Sequence, residues 1–113
     1  MRHKILTIIF CLILANITCG QTMHSILFTN MEEQGRERDR TAELKQMTEF
    51  CTSMAEALDF NHNLRLHSGS EFTSTMLEHE ISALSVQEGD VVLFYYAGHG
   101  CNWDDDDWPH MAL

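Results

Sequence analysis

The spacing of apolar positions changes several times along this chain, and each change predicts an element. Ser25-Ile26-Leu27-Phe28-Thr29 is a short, nearly continuous apolar run, the pattern of a strand covered on both faces. The polar stretch from Asn30 to Arg40, with Gly35 inside it, predicts a loop. From about Asp39 to Leu58, apolar residues recur at spacings of three and four: Leu44, Met47, Cys51, Met54 and Leu58. That is an amphipathic helix, with Asp39 where a capping residue belongs. Asn61-His62-Asn63 predicts a turn. Leu64-Arg65-Leu66-His67 alternates like a short, half-exposed strand at a sheet edge, with His62 and His67 as exposed loop and edge residues. After the turn Ser68-Gly69-Ser70, Leu77, Ile81 and Leu84 mark one face of a second helix, with Glu78 and Glu80 off that face and His79 toward solvent. Thr73 or Thr75 would cap it, and Thr75 with Glu78 has capping-box spacing. Gly89-Asp90 then leads into Val91–Tyr96, a β-branched and aromatic run that predicts a buried strand.

The order strand, helix, strand, helix, strand defines an α/β class with a parallel sheet. Crossovers between parallel strands are right-handed. With the polar second strand outside the first and the third on the first strand's other side, the strand order is 2-1-3 and the helices fall on opposite faces. Ligands bind in such sheets at the carboxyl ends of the strands, where the order reverses. That crevice lies between the first and third strands.

Composition sets the setting. The 113 residues allow one domain at most. The chain opens Met1-Arg2-His3-Lys4, continues through an apolar run from Ile5 to Ile17, and reaches Thr18-Cys19-Gly20. A basic start, a short apolar run and small residues predict a secretory signal peptide over residues 1–20, cut to leave Gln21 and the protein secreted or periplasmic. Lipid attachment at Cys19 is the less favoured alternative, because Asn16-Ile17-Thr18 is a poor lead-in. The run is too short for a comfortable membrane span. Loss of Arg2 and Lys4 leaves 5 basic against 17 acidic residues, a net charge of −12, which argues against nucleic acid or an anionic membrane as partner. Cys51 and Cys101 would remain, too few for a disulfide scaffold. Cys51 falls on the helical apolar stripe and reads as a small core residue, and the methionines beside it read as core.

The candidate chemistry follows the third strand. Tyr95-Tyr96-Ala97-Gly98-His99-Gly100 ends an apolar strand in a histidine between two glycines. An imidazole at the carboxyl end of a strand, next to bare backbone amides, suits a general base beside an oxyanion site. This hexapeptide, after a strand opened by Asp90, resembles the histidine motif of the caspase family of cysteine peptidases, metacaspases and secreted bacterial caspase-like proteins included. The resemblance covers about His24 to the end of the chain, with the apolar first strand, the long first helix and Trp108-Pro109 as supporting pieces.

The resemblance implies a three-layer caspase-like fold with a partial 2-1-3 sheet, and a Cys–His dyad endopeptidase acting on peptides or proteins. It makes His99 the proton-transfer residue and puts the backbone amide of Gly100 in the oxyanion hole. It also implies a nucleophilic cysteine roughly 50 residues beyond the histidine, so that the remainder of a caspase-like domain is the expected partner. Without that segment the expectation is an inactive piece, and a caspase-like scaffold is the alternative. Cys101 is too close to His99 in sequence to make a good dyad with it. No resident cofactor is expected. Calcium is the one metal that the four carboxylates of Asp104–Asp107 suggest, although consecutive acids more often form a solvated loop. Zinc on His99, Cys101 and His110 would consume the base. Arg36, Arg38 and Arg40 do not complete the family's specificity motif, since Gly35 precedes them, and they read as a charged helix start.

Overall fold

The structure, a computed structural model, describes residues 20–32 and 34–113. The expected leader lies outside them, save for Gly20. Three strands form one parallel sheet: β1 (Thr22–Thr29), β2 (Asn61–His67) and β3 (Val91–Ala97), in the order β2-β1-β3. Helix α1 (Glu37–Leu58) joins β1 to β2, and a short 3₁₀ turn (Gly69–Glu71) and α2 (Ser74–Ala83) join β2 to β3. The chain ends in a small antiparallel pair, β4 (Gly100–Cys101) and β5 (His110–Met111). The α/β class and the 2-1-3 order are those expected. Among the described residues, no helix is long and apolar enough to cross a membrane.

β1 is the central strand, and its pattern explains why. Seven of its eight residues are buried, and alternate side chains point to opposite faces. Met23 and Leu27 pack with Cys51 and Ala55 of α1, joined by Leu44, Met47 and Met54. Ile26 and Phe28 pack with Leu77 of α2, joined by Phe72, Met76 and Leu84. The two helices therefore cover opposite faces of one strand. Cys51 is buried, as its place on the stripe implied.

Several boundaries depart from expectation. α1 begins at Glu37, so Asp39 is in its first turn and Arg36 holds the cap position without a side-chain bond to it. Two early acids, Glu37 and Asp39, suit the positive end of the helix dipole. The expected turn at Asn61-His62-Asn63 is strand: these residues pair with Thr22, Met23 and His24. The chain reverses earlier, at Asp59, which adopts the left-handed conformation (φ 55°) that aspartate tolerates better than most residues. α2 is capped by Thr73, whose hydroxyl accepts the Met76 amide at 3.1 Å, so the Thr75–Glu78 box is not used. β3 is an edge strand and not a fully buried one. Val91, Leu93 and Tyr95 are half-buried under α1, while Val92 and Phe94 are exposed.

Candidate functional site

The carboxyl ends of β1 and β3 run together. Their register extends from Met23↔Val91 to Thr29↔Ala97, and the Asn30 amide still donates to the Ala97 carbonyl at 2.8 Å. Two residues beyond Ala97 the chain reaches His99, exposed, at the expected end of the sheet. Its backbone is held firmly. The His99 carbonyl accepts the Ala112 amide at 3.0 Å and the Tyr96 hydroxyl. That hydroxyl also lies 3.1 Å from the Ala112 carbonyl, so Tyr96 ties the last residues of the chain to the turn after β3. The Tyr96 ring stacks on Phe72, with centroids 5.6 Å apart. Burial in this stack raises the Tyr96 phenol above its ordinary value.

Gly98 is required by this packing. A Cβ there would come within 2.7 Å of the Tyr96 hydroxyl and 2.9 Å of the Phe72 ring, closer than real side chains approach. Glycine at this point lets the two rings close over the backbone that presents His99. Gly100 opens β4, opposite Met111.

The other predicted residues are placed as follows. Cys101 is exposed and stands across the small ladder from His110. His110 in turn contacts Asp106, Nε2 to Oδ2, at 2.8 Å. The other Asp106 oxygen accepts the Trp108 amide at 3.0 Å. Asp106 thus closes the turn of this pair, and one member of the acidic run has a structural task. Among the described residues, no group of three or more histidine, cysteine or acidic side chains converges as a metal site. Arg40 packs with only about a tenth of its side chain exposed and pairs with Glu43 at 3.0 Å, while Arg36 and Arg38 are exposed.

The structure also gathers buried polar groups that the sequence patterns do not assemble. At the amino ends of the strands, the Asp90 carboxylate accepts the Thr22 amide at 2.8 Å, the Gln87 amide at 3.0 Å and His24 Nε2–H at 3.2 Å. The proton on Nε2 leaves Nδ1 to accept from the Asn63 amide at 3.3 Å. The amides of Gln87 and Thr22, and then His24, hold the Asp90 carboxyl below the usual range, outweighing its desolvation. The tight turn before Asp90 needs Gly89, whose φ is 87° and whose missing Cβ leaves room for Gln21.

A second cluster corrects two expectations. His67 is buried, not exposed, and packs 4.9 Å from the Phe28 ring. Glu80, expected off the packed face of α2, is only 6% exposed. Its carboxylate lies 3.2 Å from His67 Nε2 and 3.7 Å from Arg65. The His67 contact is an ion-pair distance without hydrogen-bond alignment. A cavity of about 120 Å³ opens beside this group, lined by His24, Asn63, Arg65 and Glu80 on its polar side and by Ile26 and Leu84 on its apolar side. Glu80 follows Glu78 and His79 on α2 and nothing in the sequence sets it apart from them; it gains meaning only once β2 supplies Arg65 and His67.

Comparison with known proteins adds no relative: no family model, no curated protein and no solved structure matches the chain.

Proposed function

We propose that this chain is the amino-terminal part of a caspase-like cysteine endopeptidase domain, with His99 as the proton-transfer residue and the Gly100 amide as an oxyanion donor. The observation that carries the reading is the position of His99. It follows β3 directly, at the carboxyl end of a parallel 2-1-3 sheet, beside the loop that leaves β1. The Tyr96-Ala97-Gly98-His99-Gly100 motif adds the family, and the expected leader adds an extracellular or periplasmic setting with a peptide or protein substrate. The three-layer caspase-like fold belongs to the same proposal.

The nucleophile in this reading comes from a further segment of the domain. Cys51 is sealed in the core, and Cys101 stands opposite His110 in the terminal ladder. The same placement of the two thiols favours the second reading, a caspase-like scaffold without hydrolysis. The test is a protein carrying this sequence together with its following segment, assayed against a peptide library. His99→Ala is expected to leave the fold intact, since the side chain is exposed, and to lower kcat/KM by about 10²–10⁴. Turnover unchanged by that substitution removes His99 from the mechanism. A folded protein with no turnover at all leaves the scaffold.

A further inference from the structure

We propose that Cys101, His110 and Asp106 form a thiol–disulfide exchange site, in which His110 takes the proton of the Cys101 thiol and the thiolate reacts with a small disulfide. Cys101 and His110 stand directly opposite each other in the antiparallel β4–β5 pair. Residues so placed project from the same face, with Cβ atoms about 4.5–5.5 Å apart. The imidazole is held in place. Its Nε2–H donates to Asp106 Oδ2 at 2.8 Å, the other Asp106 oxygen accepts the Trp108 amide, and the Trp103 ring meets it edge-on at 6.5 Å. With its proton on Nε2, the ring keeps Nδ1 as an acceptor, the nitrogen nearer the backbone and so nearer the facing strand. Cys101 is exposed. Among the described residues its thiol has no hydrogen-bond partner, so no contact is broken when it turns toward Nδ1. The Tyr96 phenol is the other titratable group that senses this thiol.

The chemistry balances without a further oxidant. Nδ1 accepts the thiol proton, and the Cys101 thiolate attacks one sulfur of the disulfide. A bond from Cys101 Sγ to that sulfur forms as the original S–S bond breaks. The departing thiolate takes the proton back from His110 and leaves as a thiol. Cys101 is oxidised to a mixed disulfide and half of the small molecule is reduced. The disulfide comes from outside the chain, because Cys51 is sealed between β1 and α1. In the extracellular or periplasmic setting proposed above, disulfides are the ordinary reaction partners of an exposed thiol. Charge narrows the class. The aspartates of Asp104–Asp107 adjoin the thiol and the chain carries −10, so a cationic or neutral disulfide approaches more readily than an anionic one. Such exchange requires no catalytic role for His99. It agrees with the proposed function on one point, that this end of the sheet stays open to small molecules.

The rate of mixed-disulfide formation at Cys101, followed by mass spectrometry of the full chain in excess cystamine, tests it. At about pH 6.5 the folded chain is expected to react at least about tenfold faster than the same chain unfolded in urea, where the thiol is equally accessible and His110 is no longer held opposite it. This comparison needs no variant to fold. His110→Ala is expected to abolish the advantage, and Asp106→Asn to remove most of it. At about pH 9.5 an ordinary thiol, with a pKa of about 8.5, ionises unaided, so the parent and His110→Ala should react alike. Equal rates in the folded and unfolded chains at pH 6.5 overturn the proposal. So does an advantage that survives His110→Ala, or a deficit in His110→Ala that persists at pH 9.5, which would report access to the thiol and not proton transfer.

Discussion

Asp90 shows how much one side chain does at the closed end of the sheet. Its carboxylate joins two residues of β1, Thr22 and His24, to the turn before β3, which is far from them in sequence. Its folded pKa lies below the ordinary value, so ionised Asp90 contributes stability at pH above about 4, and that contribution is lost as pH falls through the folded value. Asp90→Asn is expected to be less stable at neutral pH and to show a shallower loss of stability below about pH 4 than the parent. Urea unfolding across a pH series measures both, and identical slopes would mean that Asp90 titrates alike in the folded and unfolded chains. Asp90 and His24 are visible in the sequence as residues bordering apolar runs. Their pairing is not, because no local period links residues 66 apart. Glu80 and His67 escape the sequence patterns for the same reason. Each reads as a surface residue until the other is set beside it.

The regular elements are legible where a single period runs long enough. α1 shows its stripe over several turns, and its buried residues, Cys51 and Ala55, lie on or beside that stripe. α2 is short, and its packed face differs from the one its apolar spacing predicts: Leu77 and Glu80 point inward, while Ile81 is 58% exposed toward the groove beside β3. The terminal pair β4–β5 cannot be read at all, since two-residue strands have no period. Its attachment to the sheet passes through Tyr96, so Tyr96→Phe tests that attachment while keeping the ring stacked on Phe72. The loss of one hydroxyl bond, about 0.5–1.5 kcal/mol net, should speed amide exchange in residues 99–112 by roughly 2- to 10-fold, with β1 unaffected. A pH dependence accompanies it. The phenol's folded pKa is raised, so its contribution is complete below about pH 10 and is lost as pH rises through the folded value. The parent should therefore loosen this segment in alkali, and Tyr96→Phe should not.

The order 2-1-3 follows from three general constraints: a polar strand at an edge, right-handed crossovers and helices on opposite faces. That arrangement places β1 under both helices and makes the stability of the two faces a single question. Met23 and Leu27 face α1, and Ile26 and Phe28 face α2, all from one strand. Damage on the α2 face should thus be felt on the α1 face. Phe28 is fully buried, and truncation of such a residue costs about 3–5 kcal/mol, a large share of the roughly 5–15 kcal/mol available to a domain. Cys51 reports from the far side, buried against Met23 and Leu27. In Phe28→Ala, its alkylation rate under native conditions should rise by about 10²–10⁴, because opening of the whole sheet then exposes the thiol. Mass spectrometry resolves Cys51 from the exposed Cys101, whose rate serves as the internal standard and should not change. A Cys51 rate that stays at the parent level while α2 loosens would show that β1 and α1 form a separate unit, and that the two faces of the strand do not unfold together.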